Sequence, residues 1–236
     1  MAGTLARAAG IAVVTGSAGG IGSAICDVLA EAGYRVVGVD RVEPDVQSLP
    51  DYRQADLSEL EALPSLLAAI RDDCGPLAVL VNNAAHLDQT PFAELDPASM
   101  VRTLTVNVAA VAILAREAAS QMIAGGGGVI VNVASIAGKR GSSQALYGAS
   151  KAGAISLTKT LARLYAPNVR VVGVAPALVE AGMGTQLSPE VRGAFLAQTP
   201  MARGATAREV ANVVGFLVSP AASYVSGETV DVHGGL

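Results

Sequence analysis

Along the chain, short runs rich in valine and isoleucine recur, and alanine-rich stretches of helical length follow most of them. The short runs predict strands near residues 11–15, 35–40, 52–55, 77–82, 129–133, 169–174 and 229–232. The longer stretches predict helices over 20–32, 57–73, 97–124, 145–165 and 207–218. Strand and helix in alternation are what a parallel sheet covered on both faces requires, so the fold class is α/β. Asp96-Pro97 and Thr206 read as helix starts and Gly33 and Gly75 as stops, and the glycine tract 125–128 reads as a turn.

Two stretches break the rhythm. Only fifteen residues separate Asp40 from Asp56, and they include Pro44 and Pro50, which argues against a full crossover helix there. The segment 176–207 carries a short helical pattern near 189–198, together with Leu187, Phe195, Leu196 and Met201. A long connection beyond a strand's carboxyl end predicts a ligand cover.

Composition narrows the function classes. A chain of 236 residues suits one large α/β domain, and 51% hydrophobic against 15% charged residues excludes disorder. The mean hydropathy of +0.46 raises the question of a membrane. The best apolar run, 108–115, ends at Arg116, short of the roughly 20 residues a spanning helix needs. Arg7 precedes a short apolar stretch that runs into the glycines after residue 15 without a cleavage site, so no export signal is expected. A net charge of −4 and the absence of tryptophan argue against a nucleic-acid partner. Cys26 and Cys74 form no paired motif, which fits a reducing cytoplasm. His86 and His233 lack ligand-spaced neighbours, so no metal site is expected. His86 reads as a surface-loop histidine.

Candidate chemistry begins after the first strand, at Thr15-Gly16-Ser17-Ala18-Gly19-Gly20-Ile21-Gly22, where a helical pattern follows at once. Glycines here let the backbone approach a pyrophosphate, whose charge is favoured at a helix N-terminus. An ordinary tight connection contains such glycines too. The context points to a dinucleotide, because the second strand ends at Asp40, eighteen residues past Gly22. A carboxylate there accepts hydrogen bonds from ribose hydroxyls and repels a 2′-phosphate. No Gly-Lys-Ser or Gly-Lys-Thr follows the turn, which disfavours a mononucleotide phosphate loop.

With that turn in place, the chain resembles the short-chain dehydrogenase/reductase family from residue 11 to residue 235. The motifs stand in family order: the glycine turn, Asp56-Leu57, Asn82-Asn83-Ala84-Ala85, Asn107, Ser135, Tyr147 with Lys151 four residues on, and Pro176. The resemblance implies one Rossmann-type, doubly wound domain over residues 1–236, with a seven-stranded parallel sheet flanked by helices. It implies a nicotinamide cofactor, an alcohol or ketone as substrate, and a homotetramer or homodimer; Asp40 points to NAD, and the apolar, sparsely charged segment 176–207 points to a medium-sized, largely apolar or neutral substrate. Assembly would run through helices 97–124 and 145–165 and the last strand. It also implies cofactor contacts from Gly16, Ser17, Gly20, Ile21, Gly22, Asp40, Asp56, Leu57, Asn83, Ala84, Tyr147, Lys151, Pro176 and Val179. Asp56 resembles the aspartate that binds the adenine amino group, and Asn82 begins the segment lining the adenosine. Gly19 stands where NADP-preferring relatives often carry Arg or Lys, so NAD is expected over NADP, although Arg41 has the charge to meet a 2′-phosphate.

Tyr147 and Lys151 share one helix face. An ammonium beside the ring lowers the pKa of a phenol that ordinarily titrates near ~10, bringing it closer to the range of a useful proton carrier. Ser135 follows the strand that ends at Val133 and can polarise a substrate carbonyl. Asn107 sits inside a predicted helix, where its propensity is poor. The family role for it is to hold a water linking Lys151 to solvent. Two departures stand out. Ala177 replaces the usual glycine after Pro176, and Ala181 replaces a threonine that normally meets the nicotinamide carboxamide, with the Val179 backbone or Thr185 as substitutes. A catalytically silent nucleotide-binding scaffold is the alternative reading. It predicts decay of the set Asn107, Ser135, Tyr147 and Lys151, and all four are present.

Overall fold

In the computed structural model, which describes residues 10–43 and 51–236, the strands pair side by side in one parallel sheet. They are β1 (Ile11–Thr15), β2 (Arg35–Asp40), β3 (Asp51–Gln54), β4 (Leu77–Asn82), β5 (Gly128–Val133), β6 (Val169–Pro176) and β7 (Thr229–Val232), in the order β3-β2-β1-β4-β5-β6-β7. Arg7, Pro44 and Pro50 lie outside the described residues. The helices in chain order are α1 (Gly20–Glu31), α2 (Leu63–Cys74), α3 (Pro97–Leu104), α4 (Val111–Ala124), α5 (Ala137–Arg140), α6 (Ala145–Tyr165), α7 (Pro189–Gln198) and α8 (Ala207–Val218).

Alternation along each strand divides the core in two. Ala12, Val14, Val81, Val131 and Val174 meet Ile25 and Leu29 of α1 and Val210, Val214 and Leu217 of α8. Ile11, Val13, Leu80, Ile130 and Val171 meet Leu67 and Ile70 of α2 and Leu114, Ala118 and Met122 of α4 on the other face. Because successive side chains point to opposite faces, a valine-rich strand serves both cores at once. The chain winds outward from β1 to β3 and then returns to β4, so the order reverses beside β1. The crevice outside the carboxyl ends at such a reversal is where open α/β sheets bind ligands.

Helix signals read from the sequence hold at several ends. Asp96 accepts from the Ala98 and Ser99 amides at the start of α3, and Thr206 forms a capping box with Glu209 at α8. Gly33 and Gly75 end their helices with φ of +89° and +112°. Two boundaries differ. The expected helix 57–73 begins as a helix proper only at Leu63, because Pro64 suits a first turn and Asp56 spends its carboxylate capping the Ser58 amide. The expected helix 97–124 is interrupted by a π-turn over Thr105–Ala110, with Asn107 in its middle. By length and composition, 97–124 reaches what a bilayer span requires, which corrects the reading from its short apolar runs. Its Leu114, Ala115, Ala118, Ala119 and Met122 are buried in the core.

Candidate active site

The carboxyl ends of the strands open into a cleft of about 1140 Å³. At one end, β1 turns into α1 against the segment after β4. The Thr15 hydroxyl accepts from the amides of Asn83 (3.0 Å) and Ala84 (3.1 Å), and Asn83 Nδ2 donates to the carbonyls of Thr15 (2.9 Å) and Gly16 (3.0 Å). The turn is so tight that side chains are excluded from it. Gly16 has a φ of +68°, and a Cβ on Gly22 would lie 2.0 Å from the Gly16 oxygen. The first turn of α1 lines the cleft and carries no acidic residue, which leaves its amides and dipole available to an anion. Asp40 closes this end, accepting from the Ala18 amide (3.0 Å) and the Val42 amide (3.2 Å). Asp56 is held by Ser58 and by Arg102 at 3.0 Å, and these partners keep its carboxyl below the usual range. A Cβ-free cradle at a helix N-terminus, faced by a ribose-type carboxylate, fits a dinucleotide.

At the middle of the cleft, β5 delivers Ser135 and α6 delivers Tyr147 and Lys151. Ser135 Oγ accepts from the Ala137 amide at 3.2 Å and donates to the Pro176 carbonyl at 3.5 Å, and Ser135 and Tyr147 both line the cleft. Burial pushes the Tyr147 phenol above its ordinary value, and the neighbouring Ser135 hydroxyl pulls against that rise. This corrects the sequence expectation of a phenol lowered by Lys151. The lysine is committed elsewhere: its Nζ donates to the Val133 carbonyl at 2.7 Å and sits 5.7 Å from the tyrosine ring centroid. Burial brings the ammonium itself down to about 8.

Asn107 does not reach the cleft wall. Its Oδ1 accepts from the His86 amide (2.7 Å), and its Nδ2 donates to the His86 carbonyl (2.8 Å) and to Ser150 Oγ (2.9 Å). Ser150 in turn donates to the Tyr147 carbonyl. One buried amide therefore joins the π-turn, the segment after β4 and the tyrosine's own helix turn. π-turns are a recurrent way of re-aiming a helical residue at a functional site.

The remaining expected residues divide cleanly. Gly16, Gly20, Ile21, Gly22, Asp40, Asp56, Leu57, Asn83, Ala84, Pro176 and Val179 line the cleft. Ser17 does not: its hydroxyl is buried and has no hydrogen-bond partner among the described residues. Thr185 is no substitute for the missing threonine, since it donates to the Gly182 carbonyl and stays outside the cleft wall. Ala181 does line the cleft, packed so close to the glycine turn that a Cβ on Gly20 would fall 2.7 Å from its own. His86 also lines the cleft, contrary to the surface-loop reading, and burial lowers its pKa. Asn132 was missed: it accepts from Asn82 (2.9 Å) and donates to Thr158 (2.9 Å), tying β4 through β5 to α6. An asparagine inside a valine run was the available signal.

The far end is roofed by the segment after β6. Met183, Leu187, Val191 and Phe195 line it, and a bidentate Glu180–Arg192 pair (2.5 and 2.8 Å) fastens α7 to the end of β6. Among the described residues, no group of three or more His, Cys, Asp or Glu side chains comes together to hold a metal.

Comparison with known proteins gives one consistent result. Residues 16–236 match a family model described as enoyl-(acyl carrier protein) reductase. The chain is 36% identical over 235 residues to the 3-oxoacyl-(acyl-carrier-protein) reductase FabG of Vibrio cholerae, covering 96% of each chain. It is 37% identical over 237 residues to the cis-4-hydroxycyclohexanecarboxylate dehydrogenase of Sinomonas cyclohexanicum, covering 95% of each. A short-chain dehydrogenase/reductase from Brucella melitensis, titled glucose/ribitol dehydrogenase, superposes with a TM-score of 0.88 at 34% identity, over 96% of each chain. With strand order, motif order and near full-length similarity in agreement, the chain belongs to the short-chain dehydrogenase/reductase family and is an oxidoreductase acting on a carbonyl or alcohol carbon.

Proposed function

We propose that the protein is an NAD(H)-dependent dehydrogenase or reductase of secondary alcohols and ketones, with Tyr147 as general acid and base. The observation that carries this reading is that Ser135, Tyr147 and Lys151 line the same cleft as the glycine turn and Asp40. When bound, the nicotinamide supplies or accepts the hydride. Tyr147 gives a proton to the substrate oxygen in reduction and takes it in oxidation. Ser135 orients that oxygen and steadies its developing charge as a neutral donor. Lys151, brought to about 8 by burial, loses a proton easily enough to replenish the tyrosine near neutral pH. Asn107 is a positioning residue that holds the His86 backbone and the Ser150 link to the Tyr147 turn.

Support for NAD comes from Asp40 at the end of β2 beside the glycine turn, and from Gly19 in place of a cation. Residues expected to hold the adenosine half are Gly16, Asp40, Asp56, Leu57, Asn83 and Ala84, with Pro176 and Val179 at the nicotinamide side. The apolar cover and the relatives named above favour a ketone or alcohol carried on an acyl or alicyclic body. Exposed Val101, Leu104, Ile123 and Leu164 on α3, α4 and α6 support assembly through these helices, which sedimentation would read as a dimer or tetramer.

Titration of the purified protein with NADH and NADPH, followed by cofactor fluorescence, tests the cofactor. Tight NADH and weak NADPH binding is expected, with the preference relaxed in Asp40→Ala. Failure to bind either cofactor overturns the enzymatic reading, and cofactor binding without turnover of any alcohol or ketone favours the silent scaffold.

A further inference from the structure

The wall between Ser135 and Tyr147 contains the short helix α5, and three of its features concern Arg140. Gly138 lies against α6 so closely that a Cβ there would fall 2.6 Å from the Lys151 carbonyl carbon and from the Ala152 nitrogen. Lys139 is fastened on the other side, to Asp231 at 2.6 Å and to the Thr229 carbonyl at 3.0 Å, both on β7. α5 is thus pinned to the tyrosine's helix and to the sheet edge. Arg140, the next residue, is not part of either anchor. It lines the cleft, it is exposed, and its guanidinium has no hydrogen bond or ion pair among the described residues.

Charge along this part of the cleft is one-sided. Among the described residues, the side-chain carboxylates that line the cleft, Asp40 and Asp56, both belong to the glycine-turn end, and Asp56 is already paired with Arg102. Glu180, on the cover, is outside the wall and committed to Arg192. The segment after Arg140 contributes Ser142, Ser143 and Gln144 to the same cleft, whose cover contributes Met183, Leu187 and Phe195. A guanidinium on a pinned helix, in a cleft with an apolar cover and with no side-chain carboxylate paired to it among the described residues, suits a ligand that has an apolar body and one anionic group. A guanidinium binds a carboxylate through two parallel hydrogen bonds, so it selects that group geometrically as well as by charge.

We infer that Arg140 is a specificity residue for a carboxylate on the substrate, placed away from the reacting carbon, so that the natural substrate is an oxo or hydroxy acid with an apolar skeleton. This rests on the proposed function for the location of the reacting carbon, and it replaces the expectation of a largely neutral substrate. No covalent step is involved: the arginine acts by binding and orientation.

The test uses the full chain saturated with NADH and two probes of nearly equal shape, cyclohexanecarboxylate and cyclohexanecarboxamide, with binding measured by calorimetry. The wild-type protein is expected to bind the acid at least about tenfold more tightly than the amide, in line with a charge-assisted bidentate contact. Arg140→Gln is expected to erase that preference and Arg140→Lys to restore part of it, and thermal unfolding confirms that each variant is folded. Equal affinity of the wild-type protein for the two probes overturns the inference, as does an acid preference that survives in Arg140→Gln, and so does a wild-type protein that binds neither. Binding is read without turnover. A carboxylate preference lost in Arg140→Gln, together with no NAD-linked turnover of any alcohol or ketone, would therefore sink the proposed function and leave carboxylate binding by Arg140 standing.

Discussion

At the glycine turn the cleft wall is backbone, held by partly buried side-chain hydrogen bonds: Thr15 with Asn83 and Ala84, and Asn83 to Thr15 and Gly16. At the cover the wall is side chain, apolar and partly exposed, and its main polar fastening is the Glu180–Arg192 pair at the surface. A wall of backbone cannot be retuned by substituting one side chain, whereas a wall of methionine, leucine, valine and phenylalanine can. The first geometry suits a ligand that never changes, the second a ligand that differs from one relative to the next. Tyr147 and Ser135 stand where the two walls meet.

That contrast can be broken first at the junction. Tyr147→Phe is expected to lower kcat by about 10²–10⁴-fold, the usual contribution of a positioned acid–base group, while NADH affinity remains near wild type. Steady-state kinetics beside a cofactor titration separates the two quantities. Next comes the backbone wall. Gly22→Ala places a Cβ 2.0 Å from the Gly16 oxygen, so the turn must open. NADH affinity should fall by more than about tenfold, with a loss of about 1–3 kcal/mol in chemical denaturation, as for other overpacked sites. Retained affinity would show that the turn is softer than its geometry says.

Lys151 separates stability from function. Burial lowers its pKa from 10.5 to about 8, so between those values the unfolded chain carries the proton that the folded chain has lost. Stability of the wild-type protein should therefore rise with pH through that window, and the burial cost is fully present below about 8. Lys151→Met is expected to stabilise the cofactor-free protein at pH 7 by about 1–3 kcal/mol, to flatten the alkaline rise and to lose turnover. Urea denaturation at pH 7 and pH 10 checks the sign.

The smallest effect belongs to the cover. The Glu180–Arg192 pair is partly exposed, so Glu180→Gln should hardly move the unfolding midpoint. It should raise KM for the carbonyl substrate by about two- to fivefold and leave NADH affinity alone. Arg192 holds the Glu180 carboxyl below its usual range. The clip is accordingly present above ordinary carboxylate pKa values and is lost as pH falls through the lowered one. A larger fall in NADH affinity than in substrate affinity would contradict the separation of the two ends.

The glycine turn, Asp40, Ser135 and the Tyr147–Lys151 spacing were legible because each depends on residues near one another in the chain, or on a strand end whose position periodicity sets. The breaks in the helices were harder to see. The π-turn at Thr105–Ala110 follows from Asn107 reaching the His86 backbone and Ser150, contacts made across 21 and 43 residues. α5 has only four residues, too few for any periodic signal, and its place depends on Gly138 meeting α6.

The sequence by itself determined the α/β alternation, the strands and the identities of the groups in the cleft, since local pattern and residue chemistry are properties of the chain. Tertiary structure alone decided their state. It turned Ser17 inward, brought His86 to the cleft, left Arg140 without a side-chain partner among the described residues and assigned the Lys151 ammonium to the Val133 carbonyl. It also set the sign of the Tyr147 shift. The physical reason is that burial, pairing and desolvation depend on what surrounds a group in space, and those neighbours come from elements far apart in sequence.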